Sequence, residues 1–184
     1  ITFVYTKTDA SNKRRLLKSN MEIRLASAQE LPILEDLARQ IWPGTYAHII
    51  SQEQIDFMLD WMYSTSALQT QMNEGHEFYI LSAQSKDIGF IALEPTYYQN
   101  QASLKINKLY VLAAFQGKGA GHLLLQKAVE SAQVAGIDQL FLQVNKANSA
   151  VQFYLKKGFV IREEAVFDIG NGFVMDDYIM TFSR

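Results

Sequence analysis

Cysteine is absent from this chain of 184 residues, which excludes disulfides, thiolate metal ligands and a cysteine nucleophile. The three histidines, His48, His76 and His122, are far apart in the sequence and form no ligand pair, so we expect no bound zinc or other metal. No apolar run approaches the roughly 20 residues that a membrane helix needs. No signal-peptide pattern opens the chain. We therefore expect a folded cytoplasmic protein that does not bind membranes.

Charge is distributed unevenly along the chain. Residues 1–20 hold five basic side chains and one acidic side chain, so they carry a net charge of +4. Because the whole chain carries −2, the remaining residues carry −6. A basic arm of this kind is either an anion-binding tail, for example for nucleic acid, or an extension or cloning remnant ahead of Met21. We favour the second interpretation, with no nucleic acid as partner. The acidic remainder indicates a cationic ligand.

Hydrophobic periodicity predicts a single α/β domain over residues 21–184. The order of elements is β-α-α-α-β-β-β-α-β-α-β-β, which predicts one mixed sheet with helices on both faces. Pro43 and Gly44 are expected to end the first helix. The strand–loop–helix–strand unit of Ser103–Val144 predicts a parallel pair of strands.

A glycine-rich segment, Q-G-K-G-A-G-H (Gln116–His122), follows an apolar strand and opens a predicted helix. A helix N-terminus presents unpaired N–H groups and a positive dipole end, and glycine allows a ligand close to the backbone, so the segment favours phosphate or pyrophosphate binding. It lacks the Gly-Lys-Ser/Thr of a Walker loop and the G-x-G-x-x-G spacing of dinucleotide sites. On these residues alone, a tight turn before a buried helix is an equal alternative.

Two motifs favour the phosphate interpretation. The L-Y-V of Leu109–Val111, followed by Gln116, Gly119 and Gly121, resembles the acetyl-CoA loop, Q/R-x-x-G-x-G/A, of the GNAT acyltransferase superfamily. N-S-A-V-Q-F-Y-L-K-K-G-F (Asn148–Phe159) resembles the second motif of that family. The resemblance covers the chain apart from its first 20 residues. It implies an acetyl-CoA-dependent N-acetyltransferase with a mixed, mostly antiparallel sheet whose central parallel strands splay apart.

The resemblance also implies which residues hold acetyl-CoA. The pantetheine arm is expected to pair with the backbone of Leu109–Val111, where an N–H group polarises the thioester carbonyl. The pyrophosphate is expected on the N–H groups of the glycine loop. Asn148, assisted by Asn145, is expected to bond pantetheine, although Asn148 also fits a plain helix N-cap. The full donor-binding set is Leu109, Tyr110, Val111, Gln116, Gly117, Lys118, Gly119, Ala120, Gly121, His122, Asn145 and Asn148.

Catalytic roles follow from the same resemblance. Tyr154 corresponds to the tyrosine that relatives use as general acid for the leaving thiolate, although it also fits as a core aromatic residue. Without cysteine, we expect the amine to attack directly in a ternary complex. The usual carboxylate before the L-x-V strand has no counterpart, and Asn107 is expected on the face of Leu109. Glu94 is the nearest candidate base, and a solvated surface carboxylate is the alternative.

The acceptor side is predicted less specifically. Asp176 and Asp177 lie in V-M-D-D-Y-I-M, which looks like the last strand of bacterial polyamine-type acetyltransferases, and they are interpreted as amine recruiters or structural groups. Carboxylates beside aromatic rings suit an alkylammonium substrate. We expect a small primary amine, with a polyamine favoured; an amino-acid, antibiotic or protein amine, or a non-catalytic acyl-CoA sensor, are alternatives. Relatives are often dimers, but no pattern locates an interface here. The aromatic residues expected in the acceptor cleft, some of which core packing also explains, are Trp42, Tyr46, Phe57, Trp61, Tyr63, Tyr97 and Tyr98.

Overall fold

The computed structural model describes residues 21–183, so the basic segment 1–20 and both of its interpretations lie outside the described residues. Seven strands form one sheet in the order β1-β2-β3-β4-β5-β7-β6. Neighbouring strands are antiparallel except β4 and β5, which are parallel. This architecture confirms the predicted fold class. The strands are β1 (Met21–Leu25), β2 (Glu77–Ala83), β3 (Lys86–Tyr98), β4 (Gln101–Val111), β5 (Gln139–Asn145), β6 (Val160–Gly170) and β7 (Phe173–Ser183).

Helices cover both faces of the sheet. Helices α1 to α3 pack on one face with buried residues of β2 and β3, and α4 and α5 pack on the other face with a second core. We call these the α1–α3 face and the α4–α5 face. Within residues 21–183, no helix is long and apolar enough to cross a membrane. The helices are α1 (Leu31–Tyr46), α2 (Gln52–Tyr63), α3 (Thr65–Asn73), α4 (Ala120–Val134) and α5 (Ala150–Lys156), with short 3-10 helices at Ala28–Glu30 and Ala113–Phe115.

Helix α1 continues past the proline that was expected to end it. Pro43 lies inside the helix, which runs to Tyr46, and the Ala47 N–H still donates to the Pro43 carbonyl at 3.1 Å. The Trp42 and Tyr46 rings lie 4.4 Å apart between centroids, and Trp42 is buried in the core of the α1–α3 face. Packing of these two rings holds the last turn in place, so the prediction of an end at Pro43 was wrong.

The two central strands separate after a short parallel pairing. β4 and β5 pair only along Ser103–Ile106 and Gln139–Leu142. The next residue, Asn107, is the extra residue of a β-bulge, and Lys108 faces Ala92 of β3. Beyond this point β4 remains paired with β3, and β5 remains paired with β7. A gap therefore opens between the C-terminal ends of β4 and β5.

The close approach of β3 to the end of β4 depends on Gly89, which pairs with Val111. A Cβ added at Gly89 would clash with the Tyr110 carbonyl oxygen and lie 3.1 Å from the Val111 Cα. We expect Gly89→Ala to lower the free energy of unfolding by about 1–3 kcal/mol, because the backbone must shift. Chemical denaturation measures this change.

Gly44→Ala is the matched control, because Gly44 lies in α1 with nothing near its absent Cβ. Alanine favours a helix interior, so this variant should be more stable by roughly 0.5–1 kcal/mol. Equal stability of the two variants would contradict the role of Gly89.

Candidate active site

A cavity of about 270 Å³ lies at the gap between β4 and β5. Its walls come from the separated ends of both strands, from α1, α2 and the start of α5, and from the β6–β7 hairpin. The cavity therefore joins residues that are more than 130 positions apart in the sequence. The residues that line it include Trp42, Tyr46, Tyr63, Lys105, Asn107, Leu109, Tyr110, Asn145, Asn148, Tyr154 and Asp177.

The glycine loop lies between β4 and α4. Gly117 (φ 68°) and Gly119 (φ 97°) adopt left-handed conformations, and Gly119 is the N-cap of α4. The Gln116 side chain donates to the Val111 carbonyl at 3.0 Å and so ties the loop to the end of β4. The Lys118 ammonium donates to the Ala114 carbonyl at 2.6 Å within the same turn. This backbone fits an anion, since first-turn N–H groups and the positive dipole end face the loop.

The remaining predicted residues of the loop begin the helix. Ala120, Gly121 and His122 form the first turn of α4. A Cβ at Gly121 would lie 3.5 Å from the Phe153 ring, at ordinary contact distance, so packing inside the protein does not by itself require glycine there. The reason predicted from the sequence, space for a ligand over the helix N-terminus, stays a prediction for this glycine.

The predicted pantetheine-binding residues meet at the gap. Leu109, Tyr110 and Val111 form the end of β4 beyond its last pair with β5. Asn145 and Asn148 line the same cavity as Leu109 and Tyr110. The Asn145 and Asn148 side-chain oxygens accept from the N–H groups of residues 147 and 150, both at 2.9 Å. Asn148 therefore stabilises the start of α5, as an N-cap would, and also faces the cavity.

Tyr154 lies on α5 and lines the cavity from the α4–α5 face. It is buried, and its ring makes edge contacts with Phe153 and Phe159 at centroid distances of 5.2 and 5.5 Å. Burial, and to a lesser extent Tyr46, raise the pKa of Tyr154 above its ordinary value. The phenol is therefore protonated across the neutral range and is able to donate a proton.

Three tyrosine hydroxyls meet on the opposite, α1–α3 face. The Tyr63 hydroxyl donates to the Tyr110 hydroxyl at 3.1 Å, and the Tyr46 and Tyr110 hydroxyls are 3.3 Å apart. Burial raises the pKa of all three phenols. With Trp42, whose ring is 5.2 Å from that of Tyr63, they form an aromatic wall of the cavity. The sequence predicted Trp42, Tyr46 and Tyr63 here and assigned Tyr110 only to the donor side.

Glu94 lies on β3 and accepts a hydrogen bond from the Asn107 amide at 2.6 Å. Its carboxylate is 3.9 Å from the His76 Nε2. Asn107 lines the cavity, whereas Glu94 is not among the described residues that do. The pair thus places a carboxylate behind an amide at the edge of the cavity.

The face predicted for Asn107 was wrong. Ile106 and Leu109 both pack in the core of the α4–α5 face although they are three residues apart. The bulge at Asn107 shifts the alternation of side chains by one residue. The Asn107 amide instead donates to Glu94 on the other face. Glu94 lies two residues after Ala92 on β3, and Ala92 packs in the core of the α1–α3 face.

Asp177 lies on β7 and is 1% exposed, and its Oδ1 has no hydrogen-bond partner among the described residues. Burial, and to a lesser extent the neighbouring Asp176, raise the pKa of Asp177 to about 6, although Lys146 acts in the opposite direction. Asp176 itself is exposed and pairs with the Lys146 ammonium at 2.6 Å. Both aspartates were assigned the same role from the sequence, whereas the structure shows that one is exposed and paired and the other is buried.

The last hairpin contributes to the cavity in a way that sequence patterns did not indicate. Gln54 on α2 is buried, and its amide donates to the Val174 carbonyl at 2.8 Å, which ties α2 to β7. In the sequence, the signal for this contact was Gln54 itself, because it is a polar residue on the apolar face of a predicted helix.

Tyr97 and Tyr98 were expected on a loop facing the cleft. They belong instead to β3; Tyr97 is 75% exposed and Tyr98 stacks on Phe141.

The chain matches proteins of known family over most of its length. Residues 46–180 match the acetyltransferase (GNAT) domain family. A spermidine N(1)-acetyltransferase of Thermoplasma acidophilum is 32% identical over 163 residues, which are 85% of this chain and 96% of that protein.

Solved structures agree with the sequence matches. The crystal structure of PaiA N-acetyltransferase from Thermoplasma acidophilum in complex with coenzyme A has a TM-score of 0.74 and 30% identity, covering 89% of this chain and 99% of that one. A GCN5-related N-acetyltransferase structure from Rhodopseudomonas palustris, at 19% identity and a TM-score of 0.74, covers 89% and 95% of the two chains and shows the shared fold. The glycine loop, the separated central strands and these matches together show that the chain belongs to the GNAT family of acetyl-CoA-dependent N-acetyltransferases.

Proposed function

We propose that this enzyme transfers the acetyl group of acetyl-CoA directly to a primary amine of a small molecule, in a ternary complex. The observation that supports this best is the gap between β4 and β5. The glycine loop follows β4 on one side of this gap, and of the described residues, aromatic rings and one carboxylate line the cavity at the gap. A donor site and an acceptor site on opposite faces of one sheet allow direct transfer without an enzyme-bound acyl group. We also propose a cytoplasmic location, as the sequence predicted.

The donor half of the site consists of backbone groups. N–H groups of Gln116–His122 would hold the pyrophosphate, and the unpaired edge of Leu109–Val111 would hold the pantetheine arm, with Asn145 and Asn148 beside it. Acetyl-CoA supplies the activated acetyl group when bound. The chain orients it through these groups, with an N–H of β4 available to the carbonyl oxygen.

Proton transfer is divided between two side chains in this proposal. Tyr154 is a phenol that keeps its proton in the neutral range, and it would donate this proton to the leaving sulfur. Glu94 would accept a proton from the amine through a water held by Asn107, since the carboxylate itself does not line the cavity.

The acceptor is proposed to be an aliphatic amine, with a polyamine favoured. The cavity wall of Trp42, Tyr46, Tyr63 and Tyr110 suits the methylene groups and ammonium of such a molecule. The relative from Thermoplasma acidophilum that covers most of this chain is a spermidine acetyltransferase, which supports the same substrate class.

Substitution of Gly119 tests the donor site. Gly119→Ala places a side chain at φ 97°, which costs roughly 1–2 kcal/mol and displaces the loop N–H groups. We expect the Kd for CoA, measured by calorimetry, to rise at least about tenfold, since several phosphate contacts are lost together. Gly75→Ala has the same strain at φ 96° in a turn before β2 and should leave the Kd unchanged. Equal effects of both variants would mean that the loop does not bind CoA.

Substitution of Tyr154 tests the general acid. Tyr154→Phe should lower kcat by about 100-fold because the leaving sulfur loses its proton donor, and the Kd for CoA should stay within threefold. A thiol-release assay with a panel of amines measures kcat. Tyr79→Phe, which removes a hydroxyl bonded to Glu77 on β2, is the control and should retain activity. Tight CoA binding by the wild type without turnover on any amine would indicate an acyl-CoA sensor instead.

Substitution of Glu94 tests the base. Glu94→Gln keeps the hydrogen bond to Asn107 but removes the proton acceptor, so kcat should fall by about 100-fold. The KM for the amine and the Kd for CoA should change little. Glu130→Gln on the exposed surface of α4 is the control. An unchanged kcat in the Glu94 variant would exclude Glu94 as the base.

A further inference from the structure

Asp177 is a buried carboxylate with an unpartnered oxygen in the part of the chain that the structure describes. Its Oδ1 is buried without a hydrogen bond among residues 21–183, and the side chain lines the cavity. Of the described residues that line the cavity, Asp177 is the only acidic one and Lys105 the only basic one. A buried carboxylate without a partner is costly, so it is retained where a ligand supplies the positive charge.

The charges around Asp177 do not neutralise it. On its own strand, Asp176 repels negative charge and is paired with Lys146, and the Lys146 ammonium also contacts Glu164 of β6 at 2.8 Å. On α1, the Tyr46 hydroxyl is close enough for its pKa to be raised by the Asp177 charge. Lys146, the cation that lowers the Asp177 pKa, is therefore already bound to two other carboxylates, and the side of Asp177 that faces the cavity is left for a ligand.

Asp177 lies on the acceptor side of the gap. It pairs with Asn145 at the separated end of β5, and antiparallel partners share a face of the sheet. Its strand neighbour Tyr178 packs in the core of the α4–α5 face, so Asp177 belongs to the α1–α3 face. Tyr154 approaches the same gap from the α4–α5 face. The carboxylate and the proposed acid are thus separated by the sheet.

A carboxylate in this position is unsuited to the nitrogen that reacts. Attack needs the neutral amine, whereas a carboxylate at contact distance stabilises the ammonium form. Asp177 is better placed for a second nitrogen of the same molecule. Asp177 lies on β7 beside the separated end of β5, whereas the strand edge proposed to hold the thioester lies on β4.

Aromatic rings line the cavity that contains Asp177. The rings of Trp42, Tyr46 and Tyr110 suit methylene groups next to an ammonium. The buried carboxylate and the aromatic wall thus favour an acceptor that carries a second ammonium group on an alkyl chain.

We infer that Asp177 binds a second, non-reacting ammonium group of the acceptor and makes the enzyme selective for diamines and polyamines over monoamines. The inference rests on the proposed function for the reacting end of the molecule. It assigns Asp177 to specificity and leaves proton transfer to other residues.

The test compares 1,4-diaminobutane with n-butylamine at pH 8 in steady-state kinetics. The wild type should prefer the diamine at least tenfold in kcat/KM. Asp177→Asn should raise the KM for the diamine at least tenfold, with kcat, the KM for butylamine and the Kd for CoA within threefold of the wild type. Asp176→Asn removes the exposed neighbouring charge and should leave the preference intact. If the Asn variant loses CoA affinity through misfolding, Asp177→Ser replaces it.

Three results would overturn the inference: no diamine preference in the wild type, a preference that survives in the Asp177 variant, or an equal loss of kcat on both amines. If the wild type acetylates no amine at all, the proposed function fails, but a calorimetric titration of 1,4-diaminobutane into the CoA-bound protein still decides the inference. Binding to the wild type that is lost in Asp177→Asn supports the ammonium site. Absence of binding to the wild type, or equal binding by both proteins, contradicts it.

Discussion

The end of pairing between β4 and β5 is the constraint on which the site depends. The two strands share only four residue pairs, and the bulge at Asn107 begins immediately afterwards. Each strand then follows its antiparallel partner, so the backbone groups of Leu109–Val111 lose a neighbour on one side. Backbone N–H and C=O groups need partners, and an extended ligand is able to supply them. One local irregularity thus leaves both an unpaired strand edge, which is proposed to bind the donor, and a passage between the two faces of the sheet.

The acceptor face combines costly features that favour function over stability. Three phenol hydroxyls bond to one another in a buried cluster, and the Asp177 carboxylate faces the same cavity with one oxygen that no described residue bonds. The surrounding helices must be held firmly for these groups to stay in place. The last turn of α1 persists past Pro43 because Trp42 and Tyr46 pack together. The bond from Gln54 to β7 fixes α2 against the final hairpin. Rigid elements therefore hold a polar site that would be unfavourable by itself.

Sequence patterns predicted most of the fold but failed at particular residues. Alternation and helical spacing identified the elements in order, because burial on one face produces these periods directly. The rule that proline ends a helix failed at Pro43, where tertiary packing outweighed local preference. Simple alternation failed at Asn107, because a bulge leaves no reliable mark in one sequence. Tyr97 and Tyr98 were expected near the cleft, but β3 extends far enough to carry them away from it.

The sequence by itself determined the segment that is proposed to hold most of the donor. The strand, the glycine loop and the first turn of α4 are contiguous, so their order along the chain already specifies their geometry. The acceptor half was decided by tertiary structure, since its cavity joins α1, α2, β4, β5, α5 and the last hairpin. Asp176 and Asp177 are adjacent and chemically identical, yet one is exposed and paired with Lys146 while the other is buried and faces the cavity. The strand pleat points them to opposite sides, and only the packing of the sheet determines which side is buried.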